Sequence, residues 1–193
     1  MRPVWLLLAL LLAACASPAA DLYTLAALPG AVAHLRVRGI EVRRIGLAGY
    51  LDRPEIVRSS AAFRLKLADN ERWGEPLGGM LDRVFTEDLV ERLPDTAVFT
   101  EAGAISTAPD LVLELDVERF DAEASGQLVL VAQVALRHSD ARRPAEARTL
   151  RLTAAAATAS TRDHVAAMSH ALADLSDQVV AMLAAAAVPD SSD

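Results

Sequence analysis

The side chains whose types could do chemistry are few: four histidines, a single cysteine and a row of acids at Glu114, Asp116 and Glu118. An enzyme needs a nucleophile, a base or a metal in a recognisable arrangement. His164 and His170 lie six residues apart in a segment with helical periodicity, so they occupy different faces. A helical metal pair would favour a spacing of four. Ser160, Asp163 and His164 cluster where that segment begins, but a helix start recruits Ser, Thr and Asp as caps. His34 and His138 have no partner in sequence. The acids at 114, 116 and 118 alternate with leucines and valine, so a solvated strand face accounts for them better than a cation-binding row. No glycine-rich phosphate loop and no G-x-S-x-G elbow is present. Cys15 has no second cysteine to pair with, which excludes a disulfide and a cysteine-based metal site. These residues point to a protein that is not an enzyme and needs no metal or cofactor.

The elements that would position these groups follow from periodicity. Asp21 to Ala27 is a short extended candidate, closed by Pro29-Gly30. His34 to Leu47 is rich in valine, isoleucine and arginine and is expected as a strand, with a phase jump at Gly39 that suggests a bulge. Glu55 to Leu67 should be extended, with a hairpin near Ser59-Ser60. From Glu71 to Leu93 the apolar residues Trp73, Leu77, Met80, Leu81, Val84, Phe85 and Leu89 recur at helical spacing; Asn70 is the expected N-cap and Pro94 the stop. Leu111 to Val117 alternates with a period of two, Ser125-Gly126 turns the chain into 127–138, and Asp140 to Pro144 turns it into 146–156, an antiparallel meander. Thr161 to Ala187 is a second helix, with Val165, Met168, Leu172, Leu175, Val179 and Met182 on one stripe. The expected architecture is α+β: an antiparallel sheet with two long amphipathic helices packed on one face.

The amino terminus carries a processing signal. Met1-Arg2-Pro3 precedes an unbroken apolar run, Val4 to Leu12, which ends in Leu12-Ala13-Ala14-Cys15. A short positive region, a short apolar region and small residues before a cut are the parts of a secretory signal. The run is too short to span a bilayer, which takes about 20 apolar residues. The Leu-Ala-Ala-Cys sequence looks like the lipobox of bacterial lipoproteins. That resemblance implies a signal peptide over residues 1–14, a diacylglycerol on the Cys15 thiol and an acyl group such as palmitate on the freed amine. Ala16 is not the aspartate that often retains such proteins at the inner membrane, so the pattern implies the periplasmic face of the outer membrane. Two or more acyl chains hold a protein stably where one binds only marginally. The expected organisation is a tether over 15–20, one domain over 21–188 and a frayed tail over 189–193. A domain of that size buries about 70% of the surface of its unfolded chain and folds without staples. The net charge of −7 makes nucleic acid a poor partner.

Two segments are not explained by core and turn alone. Tyr50-Leu51-Asp52-Arg53-Pro54 places an aromatic, an acid and a base in one connection, and such loops often carry function. Arg72-Trp73-Gly74-Glu75-Pro76-Leu77 puts a tryptophan at the expected helix entry, where its spacing to Leu77 and Met80 makes it a core anchor. Together with Cys15, Leu22-Tyr23-Thr24-Leu25 and Ile56-Val57, in this order across nearly the whole chain, they resemble the ABC-type transport auxiliary lipoproteins, the Pqi-type membrane-integrity lipoproteins of Gram-negative bacteria. Glu55 and Gly74 depart mildly from the pattern. The resemblance implies an accessory subunit of an envelope lipid-transport system, docking the periplasm-spanning conduit of an MCE-type protein at the outer membrane. It carries no catalytic residue to transfer. Tyr50, Leu51, Asp52 and Arg53 are the candidate partner-binding residues, and Cys15 the lipid attachment. A docking subunit could also form a homo-oligomer, whose copy number nothing in these residues sets. The alternative is a periplasmic carrier lipoprotein that holds an acyl chain between helices and sheet.

Overall fold

Most of the expected elements form, but two of them end where backbone chemistry rather than hydrophobic spacing dictates. The computed structural model describes residues 19–187 except 62, 105–106 and 141–145. Cys15, the expected signal peptide, the expected tail at 189–193 and most of the expected Asp140–Pro144 turn lie outside the described residues. Nine strands and two helices follow in the order β1 (Asp21–Tyr23), β2 (Gly39–Val42), β3 (Gly46–Leu47), β4 (Glu55–Ala61), β5 (Arg64–Trp73), α1 (Leu77–Arg92), β6 (Ala97–Thr100), β7 (Leu111–Ala122), β8 (Gln127–His138), β9 (Glu146–Ala155) and α2 (Thr161–Ala186) among the described residues.

The strands make two sheets rather than one. A small sheet has the order β1-β5-β4, and a larger one runs β6-β2-β7-β8-β9 with β3 also pairing β7. The expected meander is present, since β7, β8 and β9 pair antiparallel. Gly126 turns β7 into β8 at φ +86°, a conformation that favours glycine. The sheet is nevertheless mixed: β2 pairs parallel with both β6 and β7, and β3 parallel with β7. This corrects the expectation of an all-antiparallel sheet. β2 and β6 are only four residues long, too short for periodicity to reveal their partners. The hairpin of the small sheet turns at Phe63, not at Ser59-Ser60.

The helix expected from Glu71 begins instead at Leu77, and residues 71–73 complete β5. Pro76 is the N-cap, at φ −54° and ψ 129°, and a proline biases the residue before it away from helical backbone. Asn70, expected as the cap, sits inside β5 at φ 58°. Trp73 is buried as expected, but from a strand, and the 73-77-80 spacing arises because β5 and α1 both deliver side chains to one core. The phase jump at Gly39 marks the start of β2 instead of a bulge within a longer strand.

The second helix matches its expectation. Its stripe of Val165, Met168, Leu172, Leu175, Val179 and Met182 is buried, and Ser160 caps it by accepting the Asp163 amide at 3.1 Å. The two helices are unequal and meet different strands: α2 lies along β8 and β9, while α1 packs on α2 and β6. Between β1 and β2 the chain runs without a ladder, so its backbone groups need other partners. The Ala26 amide donates to Ser169 Oγ at 3.2 Å, the Leu28 amide to Asp88 Oδ1 at 2.9 Å and the Ala33 amide to the Arg92 carbonyl at 2.8 Å. This segment therefore straps α1 to α2.

Candidate functional site

The Tyr50 loop begins where β3 ends. The Ala48 amide donates to the Val117 carbonyl at 2.9 Å, tying the loop to β7, and the Leu51 amide closes a turn onto the Ala48 carbonyl at 2.9 Å. The loop's far end is tied to the small sheet, where the Trp73 amide donates to the Pro54 carbonyl at 2.8 Å. Leu51, one of the four candidate contact residues, is buried in the core and anchors the loop from within. Tyr50 is half-buried, Asp52 is exposed and Arg53 is intermediate. The four candidates thus divide into a buried pin, Leu51, and a surface made by Tyr50, Asp52 and Arg53.

Tyr50 is fixed by a buried acid. Its hydroxyl donates to Asp121 Oδ2 at 2.5 Å and accepts from the Phe120 amide at 3.4 Å. Asp121 is only 2% exposed, and its other oxygen accepts from Arg119 Nη2 at 3.1 Å. Burial, followed by the hydrogen bond and charge of Asp121, pushes the Tyr50 phenol far above its ordinary value, so it stays protonated and donating. Arg119 also reaches Glu123 at 3.4 Å, and Arg151 from β9 joins there at 3.2 Å. None of Arg119, Asp121, Glu123 or Arg151 stands out in sequence. Asp121 reads as a strand acid like its neighbours; the register shift between Val117 and Arg119 puts Phe120 and Ala122 on the face of Leu113, Leu115 and Val117, and leaves Asp121 on the other face, where Tyr50 meets it.

A second polar group lies where β4, β5 and the start of α2 meet. Arg58 Nη1 donates to Thr161 Oγ1 at 2.7 Å and its Nη2 to the Ala159 carbonyl; Thr161 Oγ1 donates to Glu71 Oε2; and Tyr23 donates to Glu71 Oε1 at 3.0 Å. Glu71's hydrogen bond raises the Tyr23 phenol above its ordinary value. His164 sits beside this group, 4% exposed, with Nε2 buried and unpartnered among the described residues. Arg58, Glu71 and His164 edge an open polar cleft of about 770 Å³ with Lys66, Glu123 and Ser125. The structure thus gathers β1, β4 and β5 around the first turn of α2, although their residues are scattered from 21 to 73 in the chain.

Burial, and then the charge of Arg58, holds the His164 imidazole below its ordinary value. A base with a depressed folded pKa stabilises the fold fully above its unfolded pKa of about 6.5 and loses that contribution as pH falls toward the folded value. Acidification from pH 7.5 to 5.5 should therefore weaken the domain, with His164 contributing up to about 1.4 kcal/mol per pH unit. Urea unfolding at the two pH values should show a shallower loss in His164→Gln than in the wild type, and equal slopes would discard this account.

The acidic row on β7 is a paired, solvated face. Glu114 accepts from Arg43 and Arg137, each at 2.8 Å, and Glu118 from Gln133 Nε2 at 2.5 Å. The Arg137 hydrogen bond comes first among the causes that hold Glu114 below its ordinary value. No cluster of three metal-ligating side chains occurs among the described residues. Nor is any described helix long and apolar enough to cross a membrane.

Comparison with solved structures places this fold among known ones. A crystal structure of an uncharacterized protein is similar at a TM-score of 0.72 and 18% identity, over 86% of this chain and 99% of that one. The Xanthomonas campestris protein XCC0632 is similar at 0.66 and 18%, over 87% of this chain and 95% of that one. No curated protein matches the sequence. The family model for the ABC-type transport auxiliary lipoprotein component matches residues 23–180, from β1 into the last turns of α2. That span takes in Tyr23, the Tyr50 loop, Trp73 and the polar groups around them, and the chain belongs to the family of ABC-type transport auxiliary lipoprotein components.

Proposed function

We propose that this chain is a non-enzymatic lipoprotein subunit of an intermembrane lipid-transport system. Lipid on Cys15 holds it to the periplasmic face of the outer membrane, and the folded domain docks an MCE-type conduit protein there, alone or as a homo-oligomer. The observation that carries the docking reading is the construction of the Tyr50 loop. Leu51 in the core and Tyr50 on the buried Asp121 hold the connection rigid, which leaves Asp52 and the outer side of Arg53 presented. A preorganised loop spends little ordering entropy on binding, as a docking surface requires.

The packing favours this reading over the carrier. An acyl-chain carrier needs an apolar cavity between helices and sheet. That space is occupied by Met80, Phe85, Phe120, Leu130 and Leu172, all at the centre of one core cluster.

The test is a crosslinked pull-down of the full-length lipoprotein from native membranes, with proteins and lipids both identified by mass spectrometry. Recovery of an MCE-type protein is expected. Asp52→Arg should lower that recovery about tenfold, as charge reversal at a recognition surface does, while shifting stability by no more than about 0.5 kcal/mol. Undiminished recovery would remove Asp52 from the interface. Stoichiometric lipid without an MCE-type partner would establish the carrier in its place.

A further inference from the structure

We propose that the β4–β5 hairpin is a membrane-contact element that rests on the phospholipid surface beside the lipid anchor and turns the Tyr50 loop away from it. The proposal depends on the anchor at Cys15 and adds a second, non-covalent contact with the same bilayer.

Three observations converge on this hairpin. The first is its apolar surface. Phe63 at the turn is fully exposed, and Leu65 and Leu67, on one face of β5 by the two-residue period, are each about 40% exposed. Soluble surfaces seldom group large apolar side chains at the tip of a projecting element without a partner.

The second is charge. Residues 56–68 carry Arg58, Arg64 and Lys66 and no acid, in a chain whose net charge is −7. Lys66 is the only lysine in the sequence. Arg64 and Lys66 are exposed and alternate with the apolar residues. Long cationic side chains flanking apolar ones suit an anionic headgroup layer, where the stems lie in apolar surroundings and the charges meet phosphate.

The third is the direction of the chain that leads to Cys15. β1 pairs parallel with β5, Asp21 opposite Glu71, so the backbone preceding Asp21 heads along β5 toward the hairpin tip. Asn70 Nδ2 holds that course one step further by donating to the Ala19 carbonyl at 2.8 Å. From Ala19 to Cys15 the chain can reach at most about 14 Å. Asn70, which holds Ala19, lies about 23 Å from Phe63 along β5, so a tether of that length can cover more than half of the way to the tip. The acyl chains and the apolar tip would then meet one surface.

The base of the hairpin lies at the opposite end. β4 starts at Glu55, directly after the Tyr50 loop, and its seven residues span about 23 Å. A bilayer at the tip therefore leaves Tyr50, Asp52 and Arg53 facing the periplasm, where a conduit would arrive. Acyl chains alone leave the domain free to roll, and a second contact fixes which face looks outward.

The test exploits the cysteine content. In the acylated protein Cys15 is blocked, so Phe63→Cys introduces one reactive thiol, and Val90→Cys on the exposed side of α1 serves as the reference. Each full-length protein is purified from membranes and its acylation read by intact mass. It is then labelled with an environment-sensitive dye and reconstituted in phosphatidylethanolamine–phosphatidylglycerol vesicles with or without brominated acyl chains. The label at 63 is expected to shift to the blue and to lose roughly half its intensity or more to bromine, while the label at 90 stays aqueous. Arg64→Glu with Lys66→Glu should reduce the quenching. Aqueous emission at 63 in acylated protein would overturn the hairpin contact and leave the anchor standing. A blue shift without bromine quenching would overturn it in favour of burial against protein. Bromine quenching in protein whose mass shows no acyl chain would keep the hairpin contact and remove the anchor.

Discussion

Arg92→Ala is expected to destabilise the domain by about 3–5 kcal/mol, the cost of leaving a buried charge without its partner. Arg92 is 1% exposed although it lies in the last turn of a helix, and Asp88, one turn earlier, is fully buried. Its guanidinium donates to Asp177 Oδ1 at 2.6 Å, to the carbonyls of Leu28 and Asp88 at 3.0 and 3.1 Å and to that of Ala173 at 3.3 Å. Asp88 in turn accepts from the Leu28 amide and from Ser176. One side chain therefore ties α1, α2 and the strap between β1 and β2 together. A lysine offers a point charge rather than a planar fork and cannot serve carbonyls on three sides, so Arg92→Lys should recover little of the loss.

The pH dependence gives a second check. Burial raises the Asp88 carboxyl above its ordinary value, against the pull of Arg92. A carboxyl with a raised folded pKa favours the fold below its unfolded pKa and loses that contribution as pH rises through the folded value. Removing Arg92 raises it further, so the penalty in Arg92→Ala should be largest at neutral pH and shrink in acid. Urea unfolding at pH 7 and pH 5 measures both quantities. A loss below about 1 kcal/mol would mean that the network merely offsets its own desolvation. Gly30→Ala should act through the same network, because a Cβ there would stand 2.3 Å from the guanidinium carbon.

Asp121→Ala is expected to cost about 3 kcal/mol and to loosen the Tyr50 loop at the same time. The substitution leaves the Tyr50 hydroxyl without its acceptor and removes the carboxylate that Arg119 holds. Tyr50→Phe removes only the hydroxyl. It should cost less, about 1.5–3 kcal/mol for one hydrogen bond to a charged group, because Asp121 keeps Arg119. The double variant should fall well short of the sum of the two, since both remove the same bond. Denaturation of the four proteins closes that cycle, and strict additivity would show that the Tyr50–Asp121 bond contributes nothing to stability. Under the docking reading, both single variants should also lower recovery of the conduit protein in the pull-down, because a freed Tyr50 no longer fixes where Asp52 sits.

Tyr50, Leu51, Asp52 and Arg53 form one connection, and the sequence marks that loop by its mix of residue types. It does not mark the orientation of each side chain. Leu51 stands among the candidate contact residues as part of that loop; in the fold it fills the core, in a turn closed onto the Ala48 carbonyl. Trp73 reads as helical because Leu77 and Met80 follow at helical spacing. That spacing is shared by a strand end and a helix start joined by Gly74-Glu75-Pro76, and the proline decides the boundary locally.

Periodicity along the chain determined the antiparallel meander, the long final helix with its Ser160 cap, the buried stripe of α1 and the solvated acidic face of β7. These follow from which face of one element is apolar, and that is written in consecutive residues. The expectation of a processing signal around Cys15 rests on equally local residues. Only the tertiary structure decided that β2 joins the sheet in parallel, that Asp88 and Arg92 of α1 are buried, that Asp121 lies buried against Tyr50, and that Tyr23, Arg58 and Glu71 meet the first turn of α2. Each of these depends on what packs opposite. A four-residue strand carries too little pattern to name its partner. A charged side chain is buried only when distant groups, here Leu28, Ala173 and Asp177 for Arg92, arrive to satisfy it.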